Sequence, residues 1–256
     1  MVLLCFGRNL VTFEIVYEDE EIFLINKPAG VSVQGGAGIA HPLDDEFSKQ
    51  VGYKVHLVHR LDRETSGLLV VAKQSAAAKK WISLISGHQV KKEYTAICFG
   101  TPVVNGKFAK AGTISAAVTK QGREQSAVTH FTVEETKKIL VPQELFAMQT
   151  DSDADTKTDF PANAPVREIT LTKLHLVLGT GRMHQIRIHL ASAQCPIVAD
   201  DKHGNFKLNK LAKKLLKIKT LCLAATKITI PAGGKARTFE IAPPAHILRF
   251  SLPQET

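Results

Sequence analysis

The sequence predicts an α+β protein whose strands pair largely antiparallel. Strand-like segments follow one another with few helical patterns between them, which does not fit the regular strand–helix alternation of a doubly wound sheet. At 256 residues and 44% apolar composition, the chain is long enough to bury a real core, as one large domain or two small ones.

Taken in order, Phe13 to Asn26 alternates and then runs apolar, predicting strands over Glu14–Tyr17 and Ile22–Asn26 around an acidic turn at Glu18–Glu21. Lys27-Pro28-Ala29-Gly30 forces a turn. Gly35, Gly36 and Gly38 lack the Lys-Ser/Thr ending of a phosphate-binding loop and read as a flexible loop. Leu43–Val51 is a predicted helix, Leu68–Ala72 a buried strand, and Ser75 caps a helix running to Ile85, with Trp81, Ile82 and Ile85 on one face. Further strands are predicted over Glu93–Phe99, Thr113–Lys120, Ala127–Glu134, Glu168–Leu178, Ala224–Ile230 and Phe239–Ala242. Helices are predicted over Gln185–Ala193 and Phe206–Lys219. Residues 148–165 are polar and acidic with Pro161 and Pro165, and read as an inserted, mobile loop.

Composition narrows the function classes. No apolar run is long enough to span a membrane, and Met1–Phe6 is too short and too soon followed by Arg8 to be a signal peptide, so a soluble, cytoplasmic protein without a membrane partner is expected. The four cysteines, Cys5, Cys98, Cys195 and Cys222, show no close pairing; they read as small buried thiols, and no metal site is expected. The net charge of +9 suits a polyanionic partner, although solubility alone also explains it.

Four segments could carry chemistry. HRLDRETSG, His59 to Gly67, packs an acid, two arginines and hydroxyls into one turn before a buried strand. Asp62 beside Arg60 and Arg63 would be held ionised, which suits a nucleophile or base. On the residues alone, a salt-bridged surface turn with Thr65 and Ser66 as turn formers is the simpler account. GTGRMHQIRIHLA, Gly179 to Ala191, brings Arg182, His184, Gln185, Arg187 and His189 onto one short element. An inward-pointing Arg187 would need a carboxylate partner. His184 and His189 are spaced wrongly for a helical zinc pair and read as structural. Tyr94 begins a strand, where it could be core or could stack on a base. Finally, Lys202 to Lys219 carries lysines at 202, 207, 210, 213, 214, 217 and 219 over an apolar stripe of Leu208, Leu211, Leu215 and Ile218. Such a run is either a solvated face or a phosphate-facing surface.

Together these segments resemble the RluA-type family of pseudouridine synthases. The matching stretches are Ile25–Val31 (INKPAGV), His59–Lys73 (HRLDRETSGLLVVAK), Lys92-Glu93-Tyr94, Gly181–Ala191 (GRMHQIRIHLA), Pro196-Ile197 and Asp200–Gly204 (DDKHG), in the family's order. The resemblance implies a pseudouridine synthase fold, a largely antiparallel mixed sheet with flanking helices and loops around a central RNA-binding cleft. It implies a catalytic domain over 13–250, preceded by an extension at 1–12, with no room for a separate N-terminal RNA-binding domain. Asp62 would be the catalytic aspartate, Tyr94 would stack on the uracil, and Arg187 would pair with Asp62. Arg60 would help flip the target nucleotide. Arg63, Thr65, Arg182, His184 and Gln185 would support the loops or touch RNA, and Leu223 would pack under the base. Lys207, Lys210, Lys213 and Lys214 are the candidate RNA surface. No cofactor is implied. The partner would be large-subunit ribosomal RNA or transfer RNA, and a monomer is expected. One departure is Leu221-Cys222-Leu223-Ala224-Ala225, where Ala224 stands at a position that is often histidine in the family.

Two other readings also fit the sequence. One is a catalytically silent RNA-binding protein on the same fold. The other is hydrolysis of the glycosidic bond, which would ordinarily want two carboxylates. Only Glu64 lies near Asp62 in sequence.

Overall fold

The computed structural model describes residues 11–36, 38–120, 122–142 and 166–250. The expected insertion at 148–165 lies outside the described residues, as does Cys5 and all but the end of the expected extension at 1–12. The chain divides into two compact units, Met1–Gln89 and Val90–Thr256.

In the first unit, β1 (Glu14–Glu18), β2 (Ile22–Lys27) and β4 (Ser66–Ala72) lie side by side and antiparallel, and the short β3 (His56–Leu57) also pairs with β4. The acidic turn forms because Asp19 folds its carboxylate back: Oδ1 accepts from the N–H groups of Glu21 and Ile22, both at 2.8 Å. Helix α1 (Leu43–Val51) sets Phe47 edge-on against Phe13 and Phe23, at ring separations of 5.9 and 5.2 Å. Helix α2 (Ser75–Ser86) buries Trp81, whose indole N–H donates to Glu21 at 3.0 Å. Strand β4 is buried along its whole length, as its unbroken apolar run predicts.

The second unit is built on β5 (Lys91–Phe99). Two small hairpin ladders follow, β6 (Val103–Val104) with β7 (Lys107–Phe108), then, after β8 (Ala111–Ser115), β9 (Val118–Lys120) with β10 (Arg123–Gln125). Two long strands come next, β11 (Val128–Pro142) and β12 (Val166–Leu178), and later β13 (Leu223–Ala232) and β14 (Lys235–Glu240). The sheet order is β13-β5-β12-β11-β8, antiparallel throughout, with β14 folded back on β13. Helix α3 (Gln185–Ser192), helix α4 (Phe206–Leu211) and the single turn α5 (Ala245–Leu248) complete the unit. Cys98, Cys195 and Cys222 are buried free thiols, as expected, and burial pushes Cys222 up to about 12.

The α+β class and the antiparallel pairing agree with the sequence. Four boundaries do not. The single strand expected over Thr113–Lys120 is broken, because the Ala116 carbonyl accepts from His189 Nε2 at 3.1 Å instead of continuing the ladder. Strand β11 runs on to Pro142, far past the expected Glu134. Its polar second half is held across the ladder by Lys173–Glu134 at 3.1 Å and Lys138–Glu168 at 2.9 Å. The last strand sits over Lys235–Glu240, not Phe239–Ala242, set by the Gly233-Gly234 turn at positive φ.

The expected helix over Phe206–Lys219 is α4 followed by one π-turn, Ala212–Leu216, and ends at Lys217 in the left-handed region at φ 56°. Lys210, Lys213, Lys214 and Lys217 fall at i+3 and i+4 spacings, where like charges oppose helix continuation.

Candidate active site

The loop bearing Asp62 is built on a buried lysine. Lys27 closes β2 with its side chain 0% exposed. Its Nζ donates to the carbonyls of Pro28 and Val31, each at 2.8 Å, and of Arg63 at 3.0 Å. Three carbonyls match the three N–H groups of an ammonium and hold the proton on. Burial acts the other way and pulls the Lys27 pKa down to about 7, against the upward pull of Glu64 and Asp62.

Gly30 and Arg63 then clamp each other. Gly30 N–H donates to the Arg63 carbonyl at 2.9 Å, and Arg63 Nε donates to the Gly30 carbonyl at 3.0 Å. Gly30 sits at φ 85°, where a side chain would be strained. Thr65 N–H closes the turn on the Asp62 carbonyl at 3.1 Å, and His59 Nε2 accepts from Val70 N–H at 3.0 Å. Asp62 is half-buried, Arg60 and Arg63 are exposed, and Thr65 is buried.

In the second unit, Tyr94 lies buried on β5, opposite Leu176 on one side and Ala225 on the other. Leu223 faces Ala96 two pairs further along, so Tyr94 and Leu223 share a face of the sheet.

The Gly179–Arg182 loop and α3 are held against the start of β11 by one amide. Gln185 Oε1 accepts from Thr180 Oγ1 at 2.7 Å and Arg182 N–H at 3.0 Å. Its Nε2 donates to the Val128 carbonyl at 2.9 Å and to Thr129 Oγ1 at 3.0 Å. Thr129 Oγ1 also meets His189 Nδ1 at 2.9 Å. Burial lowers the His189 pKa, and the hydrogen bond to Ala116 opposes it. Gln185 and His189 are thus buried and hydrogen-bonded within the protein, and Arg182 is exposed with Nε on the Ser126 carbonyl at 3.3 Å. His184, half-buried and left-handed at φ 53°, meets His203 Nε2 through Nδ1 at 2.9 Å.

Arg187 points inward, as expected, and within its own unit its carboxylate is Asp200. Nε donates to Oδ2 at 2.8 Å and Nη2 to Oδ1 at 2.6 Å, with 4% and 1% of the two side chains exposed. Asp200 Oδ1 also accepts from the N–H groups of Lys202 at 2.9 Å and His203 at 3.0 Å. Burial would raise the Asp200 carboxyl, but Arg187 and these two N–H groups outweigh it and hold it below the usual value. Asn209 braces the turn, accepting from Ala199 N–H and donating to the Asp200 carbonyl, each at 2.9 Å.

Sequence reasoning assigned no role to Lys27, Lys92 or Asp200. For Lys27 the signal was a lysine closing a mostly apolar strand just before proline. For Asp200 it was the acid that closes the apolar stretch Pro196–Ala199. The four lysines Lys207, Lys210, Lys213 and Lys214 are exposed. Among the described residues no cluster of three or more His, Cys, Asp or Glu side chains could hold a metal, and no helix is long and apolar enough to cross a membrane.

The family described as RNA pseudouridylate synthase matches residues 21–192, a span that holds Asp62, Tyr94 and Arg187. The chain belongs to that family, among its RluA-type members. It is 31% identical over 209 residues to ribosomal large subunit pseudouridine synthase C of Rickettsia prowazekii (strain Madrid E), covering 81% of this chain and 61% of that protein. To the protein of the same name from Rickettsia felis (strain ATCC VR-1525 / URRWXCal2) it is 32% identical over 222 residues, covering 85% and 65%. To ribosomal large subunit pseudouridine synthase D of Xylella fastidiosa (strain Temecula1 / ATCC 700964) it is 31% identical over 200 residues, covering 76% and 52%. The chain thus spans well under two thirds of the length of several curated relatives it matches, 61% in the first case. The fold is shared with two human structures. Human RNA Pseudouridylate Synthase Domain Containing 4 gives a TM-score of 0.64 at 24% identity, covering 92% of this chain and 90% of that one. Human RNA Pseudouridylate Synthase Domain Containing 1 gives 0.63 at 21%, covering 93% and 86%.

Proposed function

We propose that this chain isomerises uridine to pseudouridine in RNA, with Asp62 as the catalytic aspartate. The observation that carries the reading is the family match across 21–192, which takes in the intact HRLDRETSG loop, Tyr94 and Arg187. The curated relatives are named for the large ribosomal subunit, and that supports large-subunit ribosomal RNA as the substrate, with transfer RNA as the other outcome of the test.

The reaction breaks the bond from the sugar to the base nitrogen, turns the base and rejoins it through carbon. It is a rearrangement with no net oxidation, and the chain's own groups suffice for it. A carboxylate must be poised at the sugar or base and held by a fixed scaffold. The lysine-anchored turn supplies that scaffold for Asp62. The target base must leave its stack, at about a few kcal/mol. Tyr94 is the stacking partner, with Leu223 on the same face, and Arg60 takes the place of the flipped nucleotide. By the family resemblance Arg187 serves as the cation of the reaction, with its Nε–Nη2 edge held by Asp200. Arg63, Arg182 and His184 stand by the RNA path, while Thr65 and Gln185 support their loops. Residues 13–250 form the catalytic region, acting as a monomer in the cytoplasm.

The test is carbodiimide mapping of pseudouridine in total RNA from cells with and without the gene. Sites lost on deletion should return with wild type and not with Asp62→Asn, purified in folded form. Full rescue by Asp62→Asn would remove Asp62 from the mechanism. Tight RNA binding with no conversion of unmodified transcripts would make the chain a silent binder.

A further inference from the structure

Strand β5 carries two adjacent lysines with different surroundings. Lys91 pairs with Glu93 at 3.0 Å, and Glu93 meets His175 at 2.8 Å, so charge on that face is matched. Lys92 points to the other face, which it shares with Tyr94 by the two-residue period of a strand. Among the described residues its Nζ has no hydrogen-bond or ion-pair partner, although the side chain is half-buried. Burial lowers its pKa, and no counter-charge opposes it. A partly buried cation without a partner costs stability, and such a cost is common where a ligand supplies the missing charge.

The neighbour above Lys92 is Gly181. A methyl group built on Gly181 would lie 3.5 Å from Lys92 Nζ, so the glycine keeps open the space over the ammonium. The same loop carries the exposed Arg182. Lys92 and Tyr94 lie about 7 Å apart along the strand, which is the scale of the separation between a nucleobase and its own backbone phosphate.

We propose that Lys92, under the Gly179–Arg182 loop, binds the RNA phosphate that adjoins the uridine stacked on Tyr94. The assignment rests on the pseudouridine synthase reading and gives that site its phosphate contact. The phosphate enters through the gap that Gly181 leaves and supplies the counter-charge that the fold withholds. Lys92 is a binding residue here and takes no proton in the reaction.

The experiment measures binding of a short fluorescent oligouridylate to the full chain by anisotropy over a series of salt concentrations. Lys92→Met should reduce the log–log salt slope by ~0.7, the value of one single-strand phosphate contact, and Lys92→Arg should retain it. Gly181→Ala keeps the lysine but fills the gap at ordinary contact distance, and should lower the slope as Lys92→Met does. Lys92→Met should melt no lower than wild type, because it removes an unmatched charge. Where Lys92→Met does not fold, acylation of wild-type lysines read by mass spectrometry replaces it, with Lys92 expected to be protected by the oligouridylate. An unchanged slope in Lys92→Met, or an unprotected Lys92 on RNA-bound protein, overturns the proposal. Failure of the wild type to bind any RNA would instead bring down the reading on which it rests.

Discussion

Arg187 and Asp200 form a two-pronged ion pair, with Nε to Oδ2 at 2.8 Å and Nη2 to Oδ1 at 2.6 Å, almost wholly out of water. The pair fixes one edge of the guanidinium and sets which edge is presented elsewhere. Removing one partner leaves the other buried and unpaired, at about 3–5 kcal/mol. Asp200→Asn should therefore lower the urea midpoint sharply at neutral pH. The Asp200 carboxyl is held below its unfolded value of 3.8, so its contribution is present above that value and lost as pH falls through the lower folded one. The stability gap between wild type and Asp200→Asn should hold from neutrality down to 3.8 and close as pH falls below it through the lower folded value. A gap constant with pH would mean that the pair does not titrate as a pair.

Gly204 should tolerate no side chain. A Cβ there would lie 2.3 Å from the Asp200 carbonyl oxygen, a backbone atom that cannot swing away. Gly204→Ala should cost about 3 kcal/mol or more, measured by thermal unfolding. Activity should fall further than stability predicts, because the Asp200 turn would be pushed off Arg187.

Lys27→Met keeps the volume of the side chain and deletes three hydrogen bonds. The carbonyls of Pro28, Val31 and Arg63 lose their donor, at about 1–3 kcal/mol for each left buried and unsatisfied. Amide exchange should speed up at Gly30 and Thr65 more than in the interior of β4. The pH response should also change. The folded Lys27 value of about 7 lies below the unfolded 10.5, so the unfolded chain binds more protons between them. Wild-type stability should gain with rising pH across that window, and the Met variant should lack the gain.

The four lysines Lys207, Lys210, Lys213 and Lys214 are exposed on α4 and the π-turn. Changing all four to Gln should reduce the salt slope of RNA binding by up to ~3, at ~0.7 for each phosphate lost. Stability should hardly move, since the crowding of like charge is relieved. An unchanged slope would make this face a solvated one.

Legibility in the sequence followed how local the cause was. The run SGLLVVA read as a buried strand because its burial needs no partner to be inferred, and the loop before it stood out by its acid and two arginines. That an inward-pointing Arg187 needs a carboxylate followed from its charge. Its partner Asp200 did not, because it sits in an irregular turn organised by Asn209 and Gly204, where no period operates. Lys27 read as a turn residue, since nothing local distinguishes a lysine facing water from one reaching three carbonyls. The break after Ser115 was invisible for the same reason: its cause is His189, far along the chain.

Strands β11 and β12 stay paired out to Pro142 opposite Val166, past one register shift between Val133 and Glu135. Residues 143–165 therefore depart and return at neighbouring points of one ladder. The entropy of closing a loop grows only with the logarithm of its length, so the stretch joining those two points is thermodynamically cheap to shorten or lengthen. Thirteen paired positions stand along the ladder from Thr129 opposite Leu178 to that junction, and they insulate the Gln185 network from whatever is spliced there. The far end of the ribbon is thus the natural splice point of the chain, where evolution or a protein engineer can insert a reporter or a targeting element without re-registering the sheet.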